Sequence, residues 1–97
     1  MSLSQFSQSA LQVINIELQA IANLTKSIDH QFEQSCETIL NCSGRVIVTG
    51  MGKSGHVANK IAATLASTGT PSFFVHPGEA SHGDLGMFTK SDIVLAL

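Results

Sequence analysis

The chain is poor in charged residues and in large aromatic residues. Of its 97 residues only 12% are Asp, Glu, Lys or Arg, and neither Trp nor Tyr occurs. A typical soluble domain carries about 25% charged residues, so this chain has little polar surface for a small monomer. We therefore expect it to bury its faces in an oligomer or to be part of a larger domain.

Basic residues and long apolar runs are also scarce. Five Lys and Arg stand against seven Asp and Glu, and a net charge of −2 gives no electrostatic footprint for nucleic acid. No apolar run approaches the roughly 20 residues that a membrane-spanning helix needs. The N-terminus also lacks the basic start of a signal peptide. We therefore predict no nucleic-acid partner, no membrane insertion and a cytoplasmic location.

Cysteine is limited to two positions, Cys36 and Cys42. They lie six residues apart on a predicted helix, which places them on different sides of it. That spacing does not suit a disulfide or a metal pair, so we expect two buried free thiols.

The order of the remaining patterns predicts an α/β fold. Apolar residues spaced by three and four predict a long amphipathic helix from about Ser4 to Lys26 and a second from about Asp29 to Cys42. The leading helix is expected to pack on another subunit or on its own sheet, and the pattern leaves both open. Predicted strands at 45–49, 72–75 and 93–97, with a helix at 54–67, then indicate a parallel sheet. Because residues 92–97 look like a buried strand with no following helix, we expect a truncated domain.

The segment from Thr49 to His56 is the most informative one, because it joins a strand directly to a helix. Its glycines would let the backbone approach an anion, and a helix N-terminus favours negative charge. The G-x-G-x-x-G spacing lacks the acidic residue that dinucleotides need at the next strand end, and the first glycine of a Walker A loop is also missing. The turn therefore predicts a site for a phosphorylated small molecule, with Gly52 and Ser54 among its contacts.

Three side chains are candidates for chemistry. Lys53 could pair with a phosphate, polarise a carbonyl oxygen or stabilise an enediolate. His82 lies in a loop rich in histidine, acid and glycine and is expected to bind ligand or transfer protons. His76 is divided between ligand contact, metal ligand and structure, whereas His56 is expected to be structural because a cation in a first helical turn opposes the dipole.

Three ordered motifs, at 50–56, 66–77 and 82–87, closely resemble the D-arabinose 5-phosphate isomerases of the sugar isomerase (SIS) domain family. The resemblance implies a three-layer αβα parallel sheet of SIS type, truncated after its third strand. Residues 1–97 would form a partial SIS domain, with N-terminal helices over 1–43 and the first half of the sheet over 44–97. The implied reaction interconverts D-arabinose 5-phosphate and D-ribulose 5-phosphate through an enediol(ate), for Kdo and lipopolysaccharide biosynthesis.

The resemblance also implies roles for individual residues. Lys53 matches a catalytically relevant lysine, and His82 is expected to be catalytic as well as to contact substrate. Gly69, Thr70 and His76 match further substrate-contacting positions, and His76 matches a position that can bind inhibitory zinc. The family otherwise implies no required cofactor and a homo-oligomer, commonly a tetramer.

Two other functions stay open beside the isomerase. Related domains serve as sugar-phosphate-binding regulatory modules, and the long leading helix could instead mark a non-catalytic interaction fragment. Since the family's main phosphate loop and further catalytic residues would follow Leu97, we expect the isolated chain to be inactive as an isomerase.

Overall fold

The computed structural model describes residues 2–97, which divide into two compact units with their boundary between Ser35 and Cys36. The helices are α1 (Leu3–Asn23), α2 (His30–Leu40), α3 (Lys53–Ser67) and α4 (Pro77–Ala80), with 3-10 helices at Leu24–Ser27 and Asp84–Met87. The strands are β1 (Val46–Thr49), β2 (Ser72–Phe74) and β3 (Ile93–Ala96). These bounds confirm the predicted order of elements. The end of the predicted leading helix, at Leu24–Ser27, has 3-10 geometry.

The first unit consists mainly of α1, which begins at a capping box. The Ser2 hydroxyl accepts from the Gln5 N–H at 3.3 Å, and the Gln5 side chain accepts from the Ser2 N–H at 2.6 Å. These two bonds satisfy donors that a helix start leaves free. Seven large apolar side chains of α1 are more than half exposed: Phe6, Leu11, Val13, Ile14, Ile16, Leu18 and Ile21. Across residues 2–97, no helix has the length and apolar character needed to cross a membrane.

The second unit is built on a three-stranded parallel sheet in the order β2-β1-β3. The central strand β1 consists of β-branched residues, and Val46, Ile47 and Val48 are fully buried. Helix α3 connects β1 to β2 and contributes the buried Ala58 and Ala62, whose small side chains allow close approach to the strands. The predicted α/β fold with a parallel sheet is confirmed.

The edge of the sheet where the strands begin, here called the amino edge, is closed by polar contacts around Asp92. Its carboxylate accepts from the Arg45 N–H at 2.7 Å, from the Thr89 N–H at 2.8 Å and from the Arg45 guanidinium at 3.4 Å. The guanidinium also donates to the Met87 carbonyl at 2.6 Å and lies 4.7 Å from the centroid of the Phe73 ring. The Arg45 backbone N–H, followed by that of Thr89, lowers the pKa of Asp92 to about 2.

The two cysteines differ from each other in burial, and both thiols are free. Cys42 is half-buried, and its thiol donates to the Ser91 carbonyl at 3.4 Å. Cys36 is exposed. The prediction of a buried thiol is therefore wrong for Cys36, because the side of α2 that carries it is open to solvent.

Candidate functional site

The turn after β1 holds two glycines because the backbone itself comes close there. A Cβ on Gly55 would lie 2.6 Å from the Gly50 carbonyl oxygen, and a Cβ on Gly50 would lie 2.9 Å from the Ser54 carbonyl. The end of the strand therefore rests directly on the first turn of α3. Gly50 and Gly55 are required for this close packing of backbone on backbone.

Gly52 is different, because it faces open space. Its φ is +58° and its ψ is −129°, a conformation that favours glycine, and a Cβ there would meet nothing within 4 Å. It caps the N-terminus of α3, where the N–H groups of the first turn have no partner inside the helix. Of the three glycines that suggested an anion site, Gly52 is the one whose surroundings leave most room for a ligand.

The first turn of α3 carries a lysine and a histidine. Lys53 is the first residue of the helix, His56 follows in the same turn, and no acidic residue occurs there. A cation at this end opposes the helix dipole and costs stability, so its presence indicates a charge that attracts an anion. Within residues 2–97, the Lys53 ammonium has no ion-pair partner.

A pocket of about 350 Å³ opens beside this helix end, at the edge where the strands finish, here called the carboxyl edge. It is lined by Gly52, Gly55, His56, Asn59, Phe74 and His76. In parallel α/β sheets this is the edge where ligands bind. The pocket brings the predicted site residues Gly52 and His76 together, whereas Lys53 and Ser54 begin the helix next to it and do not line it.

His56 and Asn59 are pocket residues that the sequence did not predict. His56 was expected to be structural, but its side chain is exposed and lines the pocket. Helical spacing offered a signal, since positions 52, 55, 56 and 59 are separated by three, one and three residues and share one side of a helix.

His76 lies after β2 and is the N-cap residue of α4. Its Nδ1 accepts from the Gly78 N–H at 3.0 Å, so the imidazole caps the helix. The strand end beneath it is fixed by Thr49, whose hydroxyl donates to the Val75 carbonyl at 2.5 Å. The structural role left open for His76 is therefore observed, and its contact with a ligand stays a prediction.

The other predicted residues lie apart from the pocket. His82 is exposed in the turn after α4 and does not line the cavity. Gly69 and Thr70 precede β2, so they lie at the amino edge. Five residues of nearly extended chain lie between Thr70 and His76, which places their Cα atoms about 20 Å apart. One chain therefore does not bring Gly69 and Thr70 to the pocket that His76 lines.

The donors described around His76 do not form a zinc site by themselves. The Nδ1 lone pair is engaged by Gly78, and residues 2–97 contain no group of three His, Cys, Asp or Glu side chains that could hold a metal ion. A closed zinc site needs four ligands and a catalytic one commonly has three from the protein. Zinc binding at His76 stays a prediction, and no chemistry is derived from it.

Together, the parallel sheet and the glycine-lysine turn define an α/β domain with a pocket at the carboxyl edge, where such domains bind ligands. Comparison with known families agrees with that class. The SIS domain profile matches residues 39–97, and the chain belongs to the SIS domain family. The predicted resemblance and SIS-type fold are thereby confirmed.

Two curated relatives are similar over nearly the whole chain. The arabinose 5-phosphate isomerase KdsD of Yersinia pestis is 61% identical over 92 residues, which cover 95% of this chain and 28% of that protein. The KdsD of Pseudomonas aeruginosa is 60% identical over 100 residues, which cover 100% of this chain and 31% of that protein. The chain thus spans less than a third of the length of these relatives.

A solved structure from Escherichia coli CFT073, in complex with arabinose 5-phosphate, is also similar. It is 43% identical with a TM-score of 0.91, and the match covers 99% of this chain and 51% of that one. The second unit described here therefore has the backbone of a domain from a protein that binds a sugar phosphate.

Proposed function

We propose that this chain forms part of the active site of an aldose–ketose isomerase that interconverts D-arabinose 5-phosphate and D-ribulose 5-phosphate. The observation that carries the proposal is the positive charge of Lys53, without an ion-pair partner in residues 2–97, at the N-terminus of α3, beside the open Gly52 and the pocket that His56 lines. The names of the two KdsD relatives and the arabinose 5-phosphate complex of the solved structure supply the substrate.

The proposed reaction moves a proton between C1 and C2 of the open-chain sugar through an enediol(ate). It needs a base, an acid and a group that stabilises the developing negative oxygen. Lys53 is proposed as that stabilising cation, since it stands at the positive end of a helix with no ion-pair partner in residues 2–97. His82 is proposed to transfer protons, and Gly52, Ser54 and His76 to contact the substrate. No cofactor is proposed as required.

The two edges of the sheet support a homo-oligomer. Gly69 and Thr70, proposed as substrate contacts, lie at the opposite edge from the pocket. For both sets to touch one substrate, the Gly69–Thr70 turn must come from a second copy of the chain. The exposed apolar side chains of α1 support association further, because large exposed apolar patches mark contact surfaces. We expect the mass in solution to exceed that of one chain, and a monomer at every concentration would contradict this assembly.

The proposed biological role is in Kdo and lipopolysaccharide biosynthesis in the cytoplasm. It rests on the resemblance and on the KdsD relatives. Because this chain matches less than a third of those relatives, we expect the purified 97-residue chain to bind the sugar phosphate without turning it over. Isomerase turnover by that chain alone would contradict the proposal that this chain supplies only part of the active site.

Binding of D-arabinose 5-phosphate tests the function directly. Lys53→Ala should weaken binding at least tenfold, since a charge-assisted contact contributes about 1.5–3 kcal/mol. Lys60→Ala is the matched control, because Lys60 is exposed on the same helix and does not line the pocket. Calorimetric titration of both variants gives the comparison. Equal affinities would show that Lys53 does not hold the ligand and would favour the regulatory or interaction alternatives.

A further inference from the structure

His76 belongs both to the pocket and to the loop that carries His82. It lines the cavity at the carboxyl edge, and its ring caps α4. We propose that the Gly78 N–H holds His76 as its Nε2–H tautomer, so that the ring offers the pocket a hydrogen-bond donor and no metal-binding lone pair.

The cap is built by three consecutive residues. Pro77 is the first residue of α4 and has no N–H, so the first N–H of the helix is that of Gly78. His76 Nδ1 takes that donor at 3.0 Å. A Cβ on Gly78 would lie 3.1 Å from Nδ1 and 3.3 Å from Cε1, so the imidazole lies directly on the turn, in space that only a glycine leaves fully free.

The tautomer follows from the direction of this bond. A nitrogen that accepts a hydrogen bond presents its lone pair, and a neutral imidazole then carries its proton on the other nitrogen. His76 is therefore Nε2–H, and Nε2 is the ring nitrogen left for the pocket. A metal at Nε2 would move the proton to Nδ1, where it would face the Gly78 N–H, donor against donor. Zinc binding at Nε2 and the cap exclude each other.

An Nε2–H group selects ligands that present an oxygen acceptor, such as a hydroxyl, carbonyl or phosphate oxygen. That the oxygen belongs to D-arabinose 5-phosphate rests on the proposed function. The tautomer itself is inferred only from the hydrogen bond to Gly78 and does not depend on the proposed function.

The tautomer can be read from the 97-residue chain without any activity. With ¹⁵N-labelled histidine, long-range ¹H–¹⁵N correlation spectra distinguish Nε2–H from Nδ1–H rings, and His76→Asn assigns the signals. We expect a pure Nε2–H pattern for His76. A pure Nδ1–H pattern, or a mixture of tautomers, would overturn the inference.

Zinc chloride alone provides a second readout on the same sample. We expect the His76 signals either to stay unchanged or to shift together with the Gly78 amide, because the ion must break the cap to bind. A zinc-bound His76 with an unchanged Gly78 amide would overturn the exclusion.

Two substitutions of His76 distinguish its Nε2–H donor role from its role as the cap of α4. Asn is a strong N-cap and can still accept from Gly78, whereas Ala cannot. We expect His76→Asn and His76→Ala to weaken D-arabinose 5-phosphate binding alike, by about tenfold. The Asn amide ends at the positions of Nδ1 and Cδ2, so neither variant has a donor where the Nε2–H lies. Undiminished binding by His76→Asn would overturn the donor role. An Nε2–H tautomer in a chain that binds no sugar phosphate would instead contradict the proposed function, and an Nδ1–H tautomer in a chain that binds it would contradict this inference alone.

Discussion

The two edges of the sheet use their charged side chains in opposite ways. At the amino edge, Arg45 and Asp92 contact each other and two backbone segments, so both charges have partners. At the carboxyl edge, Lys53 lies at a helix N-terminus that positive charge does not stabilise, and it has no ion-pair partner within residues 2–97. Partnered charge at one edge serves stability, and unpartnered charge at the other is available to a ligand.

The same contrast holds for glycine. Gly44 at the amino edge leaves room for the Asp92 carboxylate, because a Cβ there would lie 2.5 Å from Oδ1 and 2.6 Å from the Ser91 carbonyl carbon. At the carboxyl edge Gly52 faces open space. One glycine is required by neighbouring atoms and the other by its own backbone conformation.

Gly44→Ala should therefore have the largest effect on stability. Its Cβ has no space between Asp92 and the Ser91 backbone, so we expect a loss of about 3 kcal/mol in the free energy of unfolding. Gly86→Ala is the control, since a Cβ there meets nothing within 4 Å and no left-handed φ is involved. It should change stability by less than about 0.5 kcal/mol. Urea unfolding measures both, and equal losses would show that the amino edge is not closed around Asp92.

Asp92→Asn should have the next largest effect. The carboxylate accepts on both oxygens, from the N–H groups of Arg45 and Thr89, and an amide offers only one acceptor. We expect a lower melting temperature at pH 7. Lys53→Ala, which breaks no ion pair or side-chain hydrogen bond within residues 2–97, should not lower that temperature.

The pH dependence of that difference sharpens the comparison. Folding lowers the pKa of Asp92 from 3.8 to about 2, so the folded state favours the carboxylate. Its stabilisation is complete above about pH 4 and is lost as the pH falls from there to about 2. Unfolding of the unsubstituted chain and of Asp92→Asn should thus converge over that range. A constant difference between pH 5 and pH 2 would contradict the role of the charge.

Periodicity and turn chemistry were enough to predict the elements and the turn at 49–56. The helix at 53–67 and the central strand at 46–49 depend on local patterns, and both lie within a residue of the prediction. The contact between Arg45 and Asp92 could not be predicted in this way, because it joins residues 47 positions apart that only the β1–β3 pairing brings together. Local sequence patterns indicate which residues form a strand, but they do not indicate which strands pair with each other.

The site was predicted less completely than the fold, for a related reason. A cation in a first helical turn is unfavourable, and that argument made His56 structural. The same argument applies to Lys53, which was expected to be functional. Lys53 carries this dipole cost and lies beside the pocket that His56 lines. An unfavourable charge is a sign of function wherever no partner offsets it.

The smallest expected effect concerns the unfavourable interaction between Lys53 and the dipole of α3. If Lys53 opposes the dipole of α3 without a compensating contact, Lys53→Gln should raise the free energy of unfolding by about 0.3–1 kcal/mol at low ionic strength. Lys60→Gln, in the middle of the same helix, should change it less, and added salt should remove the difference between the variants. Destabilisation by Lys53→Gln would mean that the lysine contributes to folding, and the contrast between the two edges would fail. A gain in stability together with lost sugar-phosphate binding would show that the Lys53 charge serves ligand binding although it destabilises α3.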